Sequence, residues 1–158
     1  MSTRRRQIRE RVLQALYAYE LSHEPVELIL ETILGTLKKE QETFGLAKEL
    51  FLKVIESTDE VDTLIKSRIA NWEFSRLAII DKIVLRISIC ELLHFEDIPP
   101  KVSINEAIEI ARRYSTEKSD KFVNGVLDSI LDDLKKSGRL KKSGRGLLET
   151  SSKNKPSG

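Results

Sequence analysis

The stretch from Ile104 to Ile130 most constrains the fold, because its apolar residues recur at spacings of three and four. Such spacings place apolar side chains on one face of a helix. The stretch reads INEAIEIARRYSTEKSDKFVNGVLDSI, with a polar segment between two apolar runs. It predicts two amphipathic helices, from about Val102 to Tyr114 and from Ser119 to about Lys135.

The same periodicity covers most of the chain, and no segment shows the alternation of a half-buried strand. We therefore expect an all-α fold of about seven helices. A first bundle is predicted over about residues 4–57 and a second over about residues 58–136, in a single domain of residues 1–136. The remaining helices are predicted over about 3–21, 25–39, 44–57, 59–69 and 77–95.

We make separate predictions for several residues in the middle of the sequence. Trp72 and Phe74 interrupt the helical pattern and are predicted to fill the junction between the two halves, with base stacking as the alternative for the Trp72 indole. Cys90 lies in an apolar run and is expected to be a plain buried side chain. Asp81 and Arg86 are five residues apart, so each is expected at a rim or an interface rather than in an internal ion pair.

Charge is segregated along the chain. The first eleven residues hold five arginines and one glutamate, and residues 135–158 hold eight lysines or arginines and one glutamate. An acidic body between two basic ends suggests localised binding of a polyanion, although solvated ends that aid solubility would give the same composition. Residues 137–158, rich in glycine, serine and lysine, are predicted to form a disordered basic tail.

The predicted first helix carries guanidinium groups followed by an aromatic ring. Arg5, Arg6 and Arg9 suit phosphate groups, and Tyr17 lies on the same side as Arg6, where a base could stack on it. Packing of Tyr17 in the core is the alternative.

A second basic and aromatic cluster opens the last helix. Lys118, Ser119, Lys121 and Phe122 gather at a helix N-terminus, which favours anions through its free N–H groups. Ser119 is expected to cap a first-turn amide. A phosphate-bearing partner is therefore predicted.

Motifs of catalysis and cofactor binding are not evident. The chain has no Gly-rich phosphate loop, and one cysteine and two histidines make no zinc pattern. Asn124-Gly125 is interpreted as close helix packing over a small residue. Neither an apolar signal-peptide core nor a membrane-spanning run is present, so we expect a cytoplasmic, non-enzymatic binding protein without metal, cofactor or membrane contact.

Three blocks carry a family resemblance: RRQIRERVLQALYAYEL, IDKIVLRISICELL, and INEAIEIARRYSTEKSDKFVNGVLDSI. In order and spacing they resemble the NusB family of bacterial transcription antitermination factors over most of residues 4–131. The resemblance implies a NusB-like fold of two packed small helical bundles. It also implies binding of boxA-type single-stranded nascent RNA together with NusE, a ribosomal small-subunit protein, in the RNA polymerase antitermination complex on ribosomal RNA operons.

The resemblance also implies site residues. Arg5, Arg6, Arg9 and Tyr17 match the first RNA-contacting motif and Ser119 and Phe122 the second, while the position before that serine, acidic in some members, is Lys118 here. The partner surface is expected on the second bundle, with Asp81 as the predicted contact at the junction of RNA and protein.

Two other functions fit parts of the sequence. NusB-like domains resemble the N-terminal part of ribosomal RNA cytosine methyltransferases, but such an enzyme needs an α/β cofactor domain after the helices. A helical protein-interaction scaffold without RNA contact is the other alternative. The choice between monomer and homodimer, the preferred RNA sequence and the role of residues 137–158 stay open.

Overall fold

The structure, a computed structural model, describes residues 4–148. These residues form eight α-helices and two short 3-10 segments, with no strand among them, so the prediction of an all-α fold is confirmed. The chain divides into two compact units between Thr58 and Asp59. The sequence places its bundle boundary near residue 57.

The first unit consists of three helices and one 3-10 segment. They are α1 (Arg4–Ser22), α2 (Val26–Thr32), the 3-10 segment Leu34–Leu37, and α3 (Gln41–Glu56). Helix α1 packs against α3 and α2, and the rings of Tyr19 and Phe51 meet edge to face with centroids 6.4 Å apart. One helix was predicted over residues 25–39, but Thr32, Gly35 and Thr36 are weak helix formers and the chain breaks there. The predicted start of α1 at Thr3 lies outside the described residues.

The second unit contains the remaining helices. They are α4 (Thr58–Lys66), which begins at the division, α5 (Asn71–Ser75), α6 (Ile79–His94), α7 (Pro100–Tyr114), α8 (Ser119–Lys136), and the 3-10 segment Gly144–Leu147. Helix α6 packs against both α7 and α8, which also pack against each other. Helix α7 begins at Pro100, earlier than the predicted Val102, because a proline suits the first turn of a helix.

Helix α6 is the centre of the second unit, and its polar residues are paired inside it. Arg86 is half-buried and forms two hydrogen bonds of 2.8 Å to the carboxylate of Asp62 in α4, so the prediction that it takes no part in an internal ion pair is wrong. Its partner comes from another helix, which spacing within α6 could not reveal. Glu91, 1% exposed, accepts a 2.6 Å hydrogen bond from Ser103 Oγ in α7. Cys90 is fully buried, as predicted.

The two aromatic residues of α5 have different environments. Phe74 is 8% exposed, and the ammonium groups of Lys66 and Lys82 lie 4.8 and 4.7 Å from its ring centroid. Trp72 is 65% exposed, so the prediction that its indole fills an interior junction is wrong. The two residues are two apart on one helix, about 200° around the axis, and cannot both face the core.

The segment after α8 docks on the end of α6. The prediction of a disordered tail is therefore wrong over residues 137–148. Lys142 Nζ donates hydrogen bonds to the carbonyl oxygens of Glu91 and Phe95, at 3.1 and 2.8 Å. Ser143 N donates to Glu96 O at 3.0 Å. The carbonyls of Glu91 and Phe95 already accept bonds from the backbone N–H groups of Phe95 and Ile98, so Lys142 adds a second donor to each of them. Residues 149–158 of the predicted tail lie outside the described residues. We call residues 139–147 the C-terminal strap.

Gly146 allows the strap to lie close to α6. A Cβ atom at this position would overlap the backbone carbonyl of Glu96.

Burial lowers the pKa of Lys142 to about 8, against the opposing influence of the carboxylates of Glu91, Asp97 and Glu96. The docked strap thus favours the neutral amine more than the free strap does, and docking strengthens as the pH rises from about 8 towards 10.5.

Substitution Gly146→Ala is expected to release the C-terminal strap, because the new methyl group has no room beside Glu96. The pKa of Lys142, measured by NMR titration of its side chain, should rise from about 8 towards 10.5. In the control Gly45→Ala the added methyl group meets no atom, so that pKa should not change. An unchanged Lys142 pKa in Gly146→Ala would contradict the docked position of the strap.

Gly125 does not allow a close approach of another helix, so the interpretation of Asn124-Gly125 as close helix packing over a small residue is wrong. The residue is exposed within α8, and a Cβ atom there would meet no atom within 4 Å. Glycine inside a helix lowers stability relative to alanine.

Substitution Gly125→Ala should therefore raise the free energy of unfolding by roughly 0.5–1 kcal/mol. Chemical denaturation followed by circular dichroism measures the change. A loss of stability would restore the packing interpretation.

Candidate nucleic-acid interface

The three predicted arginines of α1 differ in exposure. Arg5 is exposed and Arg6 is half-buried, whereas Arg9 is only 5% exposed. Arg9 shares a helix face with Val12 and Leu16, both buried, and its side chain follows them inward. Arg6 and Arg9 also take part in further interactions within the protein. The structure therefore does not bring Arg5 and Arg9 together at the surface.

Tyr17 offers an accessible ring two turns further along α1. Its side chain is 39% exposed, whereas Leu13, one turn earlier on the same side, is 2% exposed. The exposure of Tyr17 favours contact with a ligand over full burial in the core. The ring is large, rigid and flat, as base stacking requires.

The opening of α8 presents two lysines and part of an aromatic ring. Lys118 and Lys121 are exposed and Phe122 is half-buried, while Ser119 between them is 2% exposed. Lys118 is the N-cap residue of α8, and Ser119 is its first helical residue. The two lysines offer exposed positive charge that phosphates can meet.

Ser119 is held by a buried network of polar groups, so its predicted capping role is wrong. Its Oγ donates to Asp81 Oδ2 at 3.0 Å and lies 2.9 Å from Ser115 Oγ. The same oxygen accepts a 3.3 Å bond from the backbone N–H of Thr116, which precedes α8. The hydroxyl therefore anchors the turn between α7 and α8 to α6.

Asp81 is an interior residue rather than a surface contact. Its side chain is 8% exposed, and Oδ2 accepts the bond from Ser119. Within the part of the chain that is described, Oδ1 is buried and has no hydrogen-bond partner. We therefore assign Asp81 to the support of α8 and not to a partner interface. In the sequence, the hydroxyl residues Ser115, Thr116 and Ser119 indicate a local hydrogen-bond network. The acceptor of the Ser119 hydroxyl, Asp81, lies 38 residues earlier, so the sequence alone does not identify it.

A carboxylate shares the first turn of α8 with the lysines. Asp120 Oδ1 accepts a 2.8 Å bond from the backbone N–H of Lys121, and Oδ2 accepts a 3.2 Å bond from Arg112. Arg112 also donates to Glu109 at 2.6 Å, and these two carboxylates raise its pKa. One first-turn amide is thus occupied, so phosphate binding by the bare helix terminus is less favourable than the sequence suggested.

The predicted site residues belong to both compact units. Arg5, Arg6, Arg9 and Tyr17 lie in the first, and Lys118, Ser119, Lys121 and Phe122 lie in the second with Asp81. The structure joins Asp81 to Ser119 directly.

Residues 4–148 contain neither a candidate metal site nor a candidate membrane span. No three His, Cys, Asp or Glu side chains in this range are grouped so that they could hold a metal ion. None of the helices in the same range has the length and apolar character that crossing a membrane requires.

Comparison with known proteins identifies a family. The model of the NusB family matches residues 6–132. The transcription antitermination protein NusB of Chloroherpeton thalassium is 48% identical over 154 residues, which cover 94% of this chain and 71% of that protein. The structure is similar to that of T. maritima NusB, with a TM-score of 0.76 and 41% identity over 84% of this chain and 94% of the other. A chain in a crystal structure of the antitermination factors NusB and NusE with dsRNA shares the fold, with a TM-score of 0.75 and 24% identity over 84% and 99% of the two chains.

Substitution Ser119→Ala should lower the free energy of unfolding by about 1–3 kcal/mol, because it leaves the buried carboxylate of Asp81 without a donor. Thermal and urea denaturation measure the effect. Ser137→Ala, at the exposed C-terminal end of α8, is the control: it removes only a long hydrogen bond of 3.4 Å from Ser137 Oγ to Leu134 O and should change stability by less than about 0.5 kcal/mol. Equal effects of the two substitutions would contradict the anchoring role of Ser119.

Proposed function

This chain belongs to the NusB family, and we propose that it binds a boxA-type single strand of nascent RNA together with NusE during transcription of ribosomal RNA operons in a bacterial cytoplasm. The family consists of transcription antitermination factors and not of enzymes. The observation that carries the proposal is the match over residues 6–132, which includes Arg6 and Tyr17 of the first group and the whole of the second group, Lys118 to Phe122.

The exposed groups support contact with a polyanion. Arg5, Lys118 and Lys121 present positive charge to solvent, and Arg6 is half-buried beside Arg5 in sequence. We propose that these four residues neutralise phosphates, and that Tyr17 and the accessible part of Phe122 stack on unpaired bases. Arg9 and Ser119 are buried, so we propose that they support the site from within rather than contact RNA.

The form of the RNA follows from the aromatic side chains. Stacking on Tyr17 requires bases that are not already paired, which favours a single strand over a duplex. The 24% identical chain was crystallised with NusE and double-stranded RNA, so an experiment must distinguish binding of a duplex from binding of a single strand. NusE is proposed as the protein partner because it accompanies that relative.

Titration of a labelled boxA-type strand at several salt concentrations tests the proposal. Four neutralised phosphates predict a log–log slope of affinity against salt of about −2 to −3. Each substitution of Lys118 or Lys121 by Ala should reduce the magnitude of the slope by about 0.7. Tyr17→Ala should weaken binding by about 1–3 kcal/mol without a change of slope, and Tyr17→Phe should restore it.

The matched control is Lys48→Ala, an exposed lysine in α3 that should leave both affinity and slope unchanged. A duplex of the same sequence and a titration with NusE complete the experiment. Absence of RNA binding with and without NusE, together with retained NusE binding, would favour the protein-interaction scaffold. Tighter binding of the duplex than of the single strand would contradict the stacking argument.

A further inference from the structure

A cavity of about 130 Å³ lies between α7 and α8 in the second unit. Ile104 and Leu131 are its buried apolar lining. Asn105, Asn124 and Asp128 line it as exposed polar residues, with Lys135 nearby. A cavity of this size, with apolar walls and polar groups at its open edge, has room for one small flat group.

The polar residues of this cavity are not explained by the fold. Within residues 4–148, the side chains of Asn105, Asn124 and Asp128 form no hydrogen bond or ion pair. Asparagine and glycine are poor helix formers, yet Asn124 and Gly125 stand together in the middle of α8. Gly125 meets no atom that would require the absence of a side chain. The segment therefore carries a local cost that internal packing does not offset.

The cavity continues the face of α8 on which Lys121 lies. At 100° per residue, Lys121, Asn124, Gly125 and Asp128 fall within an arc of about 100° on one side of the helix. With a rise of about 1.5 Å per residue, Asn124 and Asp128 lie roughly 5–10 Å beyond Lys121 along the axis. A strand whose phosphate meets Lys121 can therefore place its next base at the cavity. Gly125, between them, leaves room for the sugar-phosphate backbone.

The donor set indicates a kind of base. An asparagine amide both donates and accepts hydrogen bonds and can pair with two edge atoms of a base, whereas the Asp128 carboxylate only accepts. A carboxylate repels phosphate, so its presence beside Lys121 and Lys135 fits a site that reads the donor groups of a base. Adenine, cytosine and guanine carry an exocyclic amino group with two N–H donors, whereas uracil offers only its single N3–H donor.

We propose that the cavity between α7 and α8 binds one unpaired base that carries an exocyclic amino group, with Asn124 and Asp128 as the specificity-determining residues. This inference rests on the proposed function, because it extends the RNA contact beyond Lys121 and Phe122. An extended peptide is the competing occupant. The position of the cavity next to the lysines at the start of α8 favours RNA.

The experiment compares affinities for short single strands in which one position next to the Lys121 contact is varied among the four bases. For strands with A, C or G at that position, Asp128→Ala and Asn124→Ala should each lower affinity about tenfold relative to the unaltered protein. For the strand with U, Asp128→Ala should have a smaller effect than for the other three strands, because uracil offers fewer N–H donors to a carboxylate. Both residues are exposed, so circular dichroism and the midpoint of thermal unfolding should be retained.

Two control variants separate charge and shape from base reading. Asp132→Ala removes the same charge one turn further along α8, outside the cavity, and should leave the preference among bases unchanged. Gly125→Leu adds a side chain where no protein atom lies, and should weaken binding of all four strands. The matched variant Gly45→Leu in α3 should leave the binding of all four strands unchanged.

The outcomes distinguish the inference from the proposed function. If the unaltered protein binds no single strand, both are overturned. If it binds and Lys121→Ala weakens it, but Asn124→Ala and Asp128→Ala leave every strand unaffected, the RNA contact stands and the base site is overturned. Loss of NusE binding in the cavity variants with unchanged RNA affinity would assign the cavity to a protein partner and also overturn the inference.

Discussion

The burial of α6 is the constraint on which the second unit depends. Ten of its sixteen residues are buried, including charged ones, and a buried charge is unfavourable unless another group pairs with it. Each polar group of α6 therefore requires a partner from a neighbouring helix. Asp81 pairs with Ser119 of α8, Arg86 with Asp62 of α4, and Glu91 with Ser103 of α7. Hydrophobic contacts tolerate sliding of one helix along another, but these pairs do not, because hydrogen bonds are lost over a fraction of an ångström. The three pairs fix the positions of three helices along α6.

The pair of Asp81 and Ser119 connects this interior constraint to the surface. Ser119 is the first residue of α8, so its hydrogen bond determines where that helix begins and how it is rotated. Lys118 and Lys121 flank it and are consequently turned outward, while Val123 is turned inward. A serine with such a role differs from a ligand-binding serine at the same position. In the proposed function it orients charged neighbours and does not contact the RNA, which is consistent with its 2% exposure.

Periodicity of apolar residues predicted the helices well, because each one buries a continuous face. It failed where a residue's environment depends on another element. Arg9 lies among buried side chains of α1, although its charge suggested exposure. Trp72 is exposed, although its size suggested burial, and the partners of Arg86 and Ser119 lie 24 and 38 residues away. Docking of the C-terminal strap was missed for the same reason. Its composition resembles a disordered tail, but one lysine that binds two helix-end carbonyls and one glycine that permits close approach hold it in place.

The exposed face of α8 changes character along its length. Asp132 and Lys136, four residues apart near its end, form a 3.1 Å ion pair of the kind that stabilises isolated helices. Asn124 and Gly125, nearer its start, do the opposite and have no compensating contact in the described chain. If stability alone determined the exposed residues of α8, its start and its end would not differ in this way. Positions at which local rules are broken without an internal gain are those where function is expected. This difference between Asn124-Gly125 and the pair of Asp132 and Lys136 is the reason for placing the proposed base site on the part of the exposed face of α8 that ends at Asp128.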